Sequence, residues 1–227
     1  METFGENVGT VLIVDDDISV RRSAARLLRL SGFAVETFGA PAAFLRRELP
    51  AEPACVLLDM YMDGMTGLGV QEQLQRSERH IPVIFMSGRS TIATAVEGVR
   101  HGAEDFLEKP VQPKALIEAI RCALRRDSAG RSGRAQHADL QARYASLTPR
   151  EREVMSLVVS GLLNKQSAAE LGISEKTIKV HRARVMQKMR VVSLAELVLI
   201  AEYVGVTRLA GLAQNSSADS APQAVRP

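Results

Sequence analysis

Four short apolar runs in the first half of the chain end on residues able to handle a cation and a phosphoryl group. Val11-Leu12-Ile13-Val14 runs into Asp15-Asp16-Asp17, and Cys55-Val56-Leu57-Leu58 runs into Asp59. Ile81-Pro82-Val83-Ile84-Phe85-Met86 ends on Ser87, and Phe106-Leu107-Glu108 ends on Lys109-Pro110. Carboxylates held close repel one another unless a cation sits among them. Mg²⁺ takes a few carboxylates, keeps several waters and accepts phosphate oxygens. A Lys offers a point charge to a phosphoryl oxygen, and a Ser hydroxyl offers a donor. An Asp carboxylate can itself attack phosphorus and become an aspartyl phosphate. Three aspartates in a row would, alone, be a polar turn; their place after an apolar strand is what makes them a site.

These residues need elements that bring them to one edge. In an open parallel α/β sheet, ligands bind outside the carboxyl ends of the strands, at the topological switch point. Between the apolar runs lie helical spacings: Val20, Ala24, Leu27, Leu28; then Ile92, Ala95, Val96, Val99; then Leu116, Ile117, Ile120, Leu124. Each puts one apolar stripe against a sheet. Ser31-Gly32 stops the first helix, and Phe33–Phe38 reads as the second strand. The alternation predicts a (βα)₅ doubly wound parallel sheet over about 125 residues; a 2-1-3-4-5 order places the strand that ends on Asp59 beside the strand that ends on Asp15. Crossover helices cover both faces of such a sheet, so its strands are continuously apolar.

Composition and charge divide the 227 residues into two parts of different character. Residues 1–126 carry 15 Lys/Arg and 17 Asp/Glu, a net of −2, whereas residues 127–227 carry 14 and 9, a net of +5. An acidic front and a basic back point to cation or phosphate chemistry in one half and nucleic acid in the other. No apolar stretch approaches the length of a membrane span, and the N-terminal residues lack a basic segment followed by an apolar core. The expected location is the cytoplasm, with no membrane partner. Cys55 and Cys122 both sit in apolar surroundings and read as buried thiols.

Asp127-Ser128-Ala129-Gly130-Arg131-Ser132-Gly133-Arg134 is small, polar and glycine-containing, the signature of a flexible linker, and residues 135–146 extend it as a short polar helix. Thr148-Pro149-Arg150-Glu151 is a capping box that opens a helix with an apolar stripe at Val154, Leu157 and Val158. A short helix from Asn164 to Leu171, closed by Gly172, and a third capped by Ser174 and running to about Met189 form a helix-turn-helix pattern. Ser193-Leu194-Ala195-Glu196 is a second capping box for a fourth helix, and the chain from Gln214 reads as a disordered tail. On the third helix Ile178, Val185 and Met189 fall on one side, while Lys176, Lys179, Val180, Ala183 and Arg184 fall on the other. Residues 174–190 hold six Lys/Arg against Glu175 alone. An apolar inner face with a compact basic outer face after a capped turn suits a major groove, and Val180 and Ala183 suit thymine methyls.

Asp15/Asp16, Asp59, Ser87 and Lys109-Pro110, in that order and spacing, resemble the receiver domain of two-component response regulators. The resemblance implies that Asp59 accepts phosphate from a sensor histidine kinase. It implies that Asp15, Asp16, Asp59 and the backbone carbonyl of Tyr61 hold Mg²⁺. Ser87 and Lys109 are implied to grip the phosphoryl group, Phe106 to be a rotating aromatic of the switch, and Lys109-Pro110 to be cis. One departure stands out. The family pattern is Asp-x-x-Met-Pro, whereas here Asp59-Met60-Tyr61-Met62 is followed by Asp63. Losing proline frees a backbone N–H and Asp63 adds a carboxylate near the metal, and two readings stay open: a tolerated loop substitution facing solvent, or altered metal affinity or phosphoryl lifetime. Residues 146–204 resemble the LuxR/NarL-type DNA-binding domain, through Leu-Thr-Pro-Arg-Glu-Arg-Glu-Val and Asn-Lys-Gln-Ser-Ala-Ala-Glu-Leu-Gly-Ile-Ser-Glu-Lys-Thr-Ile-Lys-Val-His-Arg. That resemblance implies phosphate contacts from Lys165, Thr177 and Lys188, and an approach to bases by Lys179, Val180, Ala183 and Arg184, with Lys176 beside them.

The expected organisation is a receiver over 8–126, a linker over 127–145, a LuxR-type helix-turn-helix domain over 146–212 and a tail over 213–227. The chain is similar to FixJ-type response regulators: a phosphorylation-controlled transcription factor rather than an enzyme, beyond phosphoryl transfer onto itself and slow dephosphorylation. Its expected partners are a sensor histidine kinase, promoter DNA, RNA polymerase and, when phosphorylated, a second copy of itself. A phosphatase of the haloacid-dehalogenase class also uses an Asp nucleophile and Mg²⁺, but needs a second Asp two residues on, where Tyr61 stands. The remaining alternative is a regulator that acts by protein contact, with the basic helix as plain surface.

Overall fold

The computed structural model describes residues 9–88 and 102–206. The chain divides into two compact units, Met1–Gly133 and Arg134–Pro227. In the first, five strands form one parallel sheet: β1 (Thr10–Val14), β2 (Ala34–Phe38), β3 (Ala54–Asp59), β4 (Val83–Ser87) and β5 (Asp105–Glu108), in the order β2-β1-β3-β4-β5. Eight helices are present among the described residues: α1 (Ile18–Leu30), α2 (Pro41–Arg46), α3 (Gly67–Arg76), α4 (Pro113–Ala145), α5 (Pro149–Val159), α6 (Asn164–Leu171), α7 (Glu175–Met189) and α8 (Leu194–Tyr203). The helix expected around Ile92–Val99, the last residues of the expected DNA-binding domain and the tail over 213–227 lie outside the described residues.

Period-two alternation sorts the strand residues onto two cores. Val11, Ile13, Cys55, Leu57, Ile84 and Met86 face one way and pack with Ala25 and Leu28 of α1 and with Leu116, Ile120 and Leu124 of α4. Leu12, Val14, Val56, Leu58, Val83 and Phe85 face the other way and pack with Phe44, Val70 and Leu74. The three central strands are thus buried on both sides, as their unbroken apolar runs require. Register pairs Val14 with Leu58 and Asp59 with Met86, which brings the ends of β1, β3 and β4 level.

Two expectations are corrected here. Cys55 is buried, but Cys122 is exposed. It falls off the α4 stripe of Leu116, Ala119, Ile120, Ala123 and Leu124. The stretch read as a flexible linker is helical, because α4 runs unbroken from Pro113 to Ala145. The side chain of Asp127, almost fully buried, accepts the Ala54 N–H at 2.9 Å and is paired with Arg131 at 2.5 Å. Arg131 also donates to the Ala51 carbonyl at 3.0 Å. These bonds tie the chain after Asp127 to the start of β3, which local composition cannot reveal.

In the second unit α5 to α8 enclose a separate core of Val154, Met155, Val158, Ile178, Val185, Met189 and Leu197. The predicted caps are present. Thr148 Oγ1 accepts the Glu151 N–H while Glu151 accepts the Thr148 N–H, and Ser174 Oγ accepts the Thr177 N–H. Gly172 closes α6 in the left-handed conformation at φ 64°, which glycine adopts without steric penalty. The Ser193 box is only half reciprocal: Ser193 caps Glu196, but the Glu196 carboxylate reaches the Val192 N–H.

Candidate functional site

The site is built at the ends of four strands. Asp15 follows β1 and is fully buried, and Asp59 ends β3 at 6 % exposure. Lys109 follows β5 and reaches across to both, with Nζ 2.7 Å from Asp15 Oδ2 and 2.6 Å from Asp59 Oδ1. Ser87, at the end of β4, is also fully buried. The Lys109-Pro110 bond is cis, and the Lys109 N–H donates to the Ser87 carbonyl at 2.8 Å. Phe106 is half-buried on the edge strand, opposite Phe85 and against the core of Leu58 and Val83.

Each aspartate of the Asp15-Asp16-Asp17 run has a different occupation. Asp15 takes Lys109 and the Asp17 N–H at 2.9 Å, and its carbonyl accepts from Arg21. Asp16 is exposed and accepts the Asp63 N–H at 3.1 Å. Asp17 caps α1, taking the N–H groups of Ser19 and Val20 at 2.7 and 3.3 Å. Its capping role was readable as an Asp just before a helical stripe. Asp59 accepts the Tyr61 N–H at 3.2 Å. The loop after Asp59 is tied back on itself: Gly67 N–H donates to the Met60 carbonyl at 2.9 Å. A Cβ at Gly67 would lie 2.7 Å from the Asp59 carbonyl oxygen and 2.9 Å from Phe85, so only glycine fits there.

Electrostatics suit a charged ligand. Burial is the largest influence on Asp59 and raises its pKa, while the Lys109 hydrogen bond offsets part of that rise. Burial also pulls hardest on Lys109, downwards, but its bonds to Asp15 and Asp59 together outweigh it and the ammonium is held on. The net result is a poorly solvated carboxylate beside a firmly charged amine. Carboxylate oxygens of Asp15, Asp16 and Asp59 lie within 4.8 Å of one another. Three hard oxygen donors at one sheet edge are the kind of set that Mg²⁺ takes, so the residues fit a divalent cation. The carboxylate of Asp63 does not join this cluster, and its side chain faces solvent.

On α7, Lys176, Lys179, Val180, Ala183 and Arg184 are exposed and Thr177 is half-buried, while Ile178, Val185 and Met189 point into the core. Lys165 on α6 is exposed as well. Lys188 is placed differently. Its Nζ lies 2.7 Å from Glu151 Oε2 and 3.1 Å from the Ser146 carbonyl, and Glu151 is nearly buried. Lys188, chiefly by its hydrogen bond, holds the Glu151 carboxyl below the usual carboxylate range. The capping box announced Glu151, but nothing in the sequence announced its partner.

Comparison with known proteins agrees with both halves. Residues 11–121 match the response regulator receiver domain, and residues 145–201 match the luxR family of bacterial regulatory proteins. The chain is 42 % identical over 197 residues to Nodulation protein W of Bradyrhizobium diazoefficiens, covering 87 % of each. It is 42 % identical over 198 residues to Transcriptional regulatory protein FixJ of Azorhizobium caulinodans, covering 86 % of this chain and 93 % of that one. Among solved structures, the response regulator StyR is 44 % identical with a TM-score of 0.79, over 86 % of this chain and 98 % of that one. Full-length FixJ from B. japonicum is 37 % identical with a TM-score of 0.52, over 88 % and 98 %. A receiver with its acidic pocket and lysine, joined in one chain to a LuxR-type helix-turn-helix, makes this protein a member of the FixJ-type response regulators, DNA-binding transcriptional regulators controlled by phosphorylation.

Proposed function

We propose that Asp59 is the phosphoacceptor and that a sensor histidine kinase supplies the phosphoryl group. The observation that carries this is the Lys109 amine 2.6 Å from Asp59 Oδ1 in a pocket shared with Asp15. In the step, an Asp59 carboxylate oxygen attacks phosphorus, an O–P bond forms, and the P–N bond to the kinase imidazole breaks. Asp15, Asp16, Asp59 and the Tyr61 carbonyl would hold Mg²⁺, which offsets charge on the phosphoryl oxygens. Lys109 and Ser87 then grip the phosphoryl group, and Phe106 turns with Ser87. Dephosphorylation runs slowly in the same pocket. Phosphorylated chains pair as a homodimer, which matches two half-sites about one DNA turn apart. Lys179, Val180, Ala183 and Arg184 approach base edges, with Lys176 beside them on the same outer face, while Lys165 and Thr177 serve the phosphates. RNA polymerase is the partner through which promoter binding acts, and the work is done in the cytoplasm. No helix of the described residues is long and apolar enough to cross a membrane.

Acetyl phosphate with Mg²⁺ should add one acid-stable, base-labile phosphoryl group, and Asp59→Asn should abolish it. Undiminished labelling of that variant would sink the assignment. Beryllofluoride should convert monomers to dimers in sedimentation and tighten binding to a palindromic site. Monomers throughout, with unchanged DNA affinity, would defeat the dimer.

A further inference from the structure

The residue that departs from the family pattern is wired to the acidic pocket. Asp63 stands where the pattern has proline, and its backbone N–H donates to Asp16 Oδ2 at 3.1 Å. Proline has no N–H to give, so this bond is available here because of the substitution. Among the described residues, no other donor reaches Asp16. Its two companions are better held: Asp15 by Lys109 and the Asp17 N–H, Asp59 by Lys109 and the Tyr61 N–H. Asp16 is also the exposed member of the three, free to turn in water without a tether.

We propose that Asp63 is a positioning residue for the cation, acting through its backbone N–H and not through its carboxylate. The proposal rests on the reading of Asp15, Asp16 and Asp59 as the cation site. The loop is built to aim the donor. Met60 and Met62 are buried on either side of exposed Tyr61 and pin the chain to the core. Gly64, at φ 83°, turns it back towards α3, a conformation glycine allows. Asp63 sits between these anchors, so its N–H is fixed relative to β3 before any ligand arrives. The bond to Oδ2 leaves Oδ1 of Asp16 available and limits rotation of its carboxylate. Groups that orient metal ligands in this way typically change metal affinity by about 10–100-fold when removed. Because Asp16 is exposed and water can replace part of the bond, the lower end of that range applies.

The test is calorimetric titration of the full, unphosphorylated chain with Mg²⁺ alone, comparing wild type, Asp63→Pro, Asp63→Ala and Asp16→Asn. Asp63→Pro removes the N–H and should weaken Mg²⁺ binding about tenfold. Asp63→Ala keeps the N–H, so its affinity should stay near that of wild type. Equal affinity for Asp63→Pro and wild type would overturn the proposal, and so would an equal loss in Asp63→Ala, which would give the effect to the carboxylate. No Mg²⁺ binding by wild type, or undiminished binding by Asp16→Asn, would remove the cation site itself and the proposal with it. Amide hydrogen exchange provides a second route if the proline variant folds poorly. The Asp63 amide should be protected in wild type and lose that protection in Asp16→Ala; identical exchange in both proteins would refute the bond.

Discussion

Replacing Lys188 by Met separates a residue that holds the fold from one that touches DNA. The Lys188 amine and the Glu151 carboxylate are 2.7 Å apart, with side chains 35 % and 3 % exposed. At that distance and an effective dielectric of 20 the gross attraction is roughly 6 kcal/mol, most of it cancelled by desolvation. Removing one partner from a fully buried pair costs about 3–5 kcal/mol, since the other charge is left stranded. Water reaches over a third of Lys188, so about 2–3 kcal/mol is expected here. In a helical domain of this size that lowers the melting temperature by roughly 10–20 °C. The pH dependence follows from Glu151. Its folded pKa lies below the ordinary value of 4.5, so its contribution is complete above that pH and lost as pH falls through the lower folded value. The gap between wild type and Lys188→Met should therefore be constant from neutrality to about pH 5 and close in stronger acid. Calorimetry of the full chain measures it. A double variant with Glu151→Gln should recover part of the loss, because no charge is then stranded. With the protein folded, the salt dependence of DNA binding should be unchanged. Wild-type stability in Lys188→Met, with a salt slope shallower by about one, would make Lys188 a phosphate contact and refute this reasoning.

Asp127→Ala takes an acceptor from the Ala54 N–H and a partner from Arg131, and should destabilise the receiver by about 1–3 kcal/mol in urea unfolding; an unchanged midpoint would show the tether to be idle. Gly67→Ala forces a Cβ against the Asp59 carbonyl and Phe85 and should cost about 1–3 kcal/mol by the same assay; unchanged stability would refute the steric argument. Lys179→Ala should weaken binding to the operator by about 1–3 kcal/mol and relax preference at one base position; equal losses on operator and random DNA would reduce Lys179 to a phosphate contact.

The sheet and its site were legible because they depend on residue type and period. Short continuous apolar runs such as Val11–Val14 and Cys55–Leu58, separated by helical spacings, read as strands covered twice, and the acids that end them meet Lys109 at one edge of the sheet. What sequence could not show was pairing across distance. Lys188 has the charge of a phosphate contact, and only the fold reveals Glu151, 37 residues away, as its partner. Asp127 lies in a stretch with the composition of a linker, yet it binds the start of β3, 73 residues earlier in the chain. Asp63 was visible as a departure from pattern that frees an N–H, but only the fold shows that N–H reaching Asp16.

The aspartates at 15, 16 and 17 are one letter written three times, yet they carry no redundancy. Asp15 is sealed against Lys109, Asp16 stands at the rim under the Asp63 N–H, and Asp17 starts a helix. Asparagine caps a helix about as well as aspartate, so position 17 can lose its charge at little loss, whereas losing the charge at position 15 would leave the half-buried Lys109 ammonium with one carboxylate fewer. Because Asp15 and Asp16 are placed by their distance from the end of β1 and Asp17 by its place before α1, deleting a single residue here would leave one of the three jobs unfilled. A tract that looks repetitive is therefore among the least interchangeable in the protein, and its neighbours offer no rescue for one another.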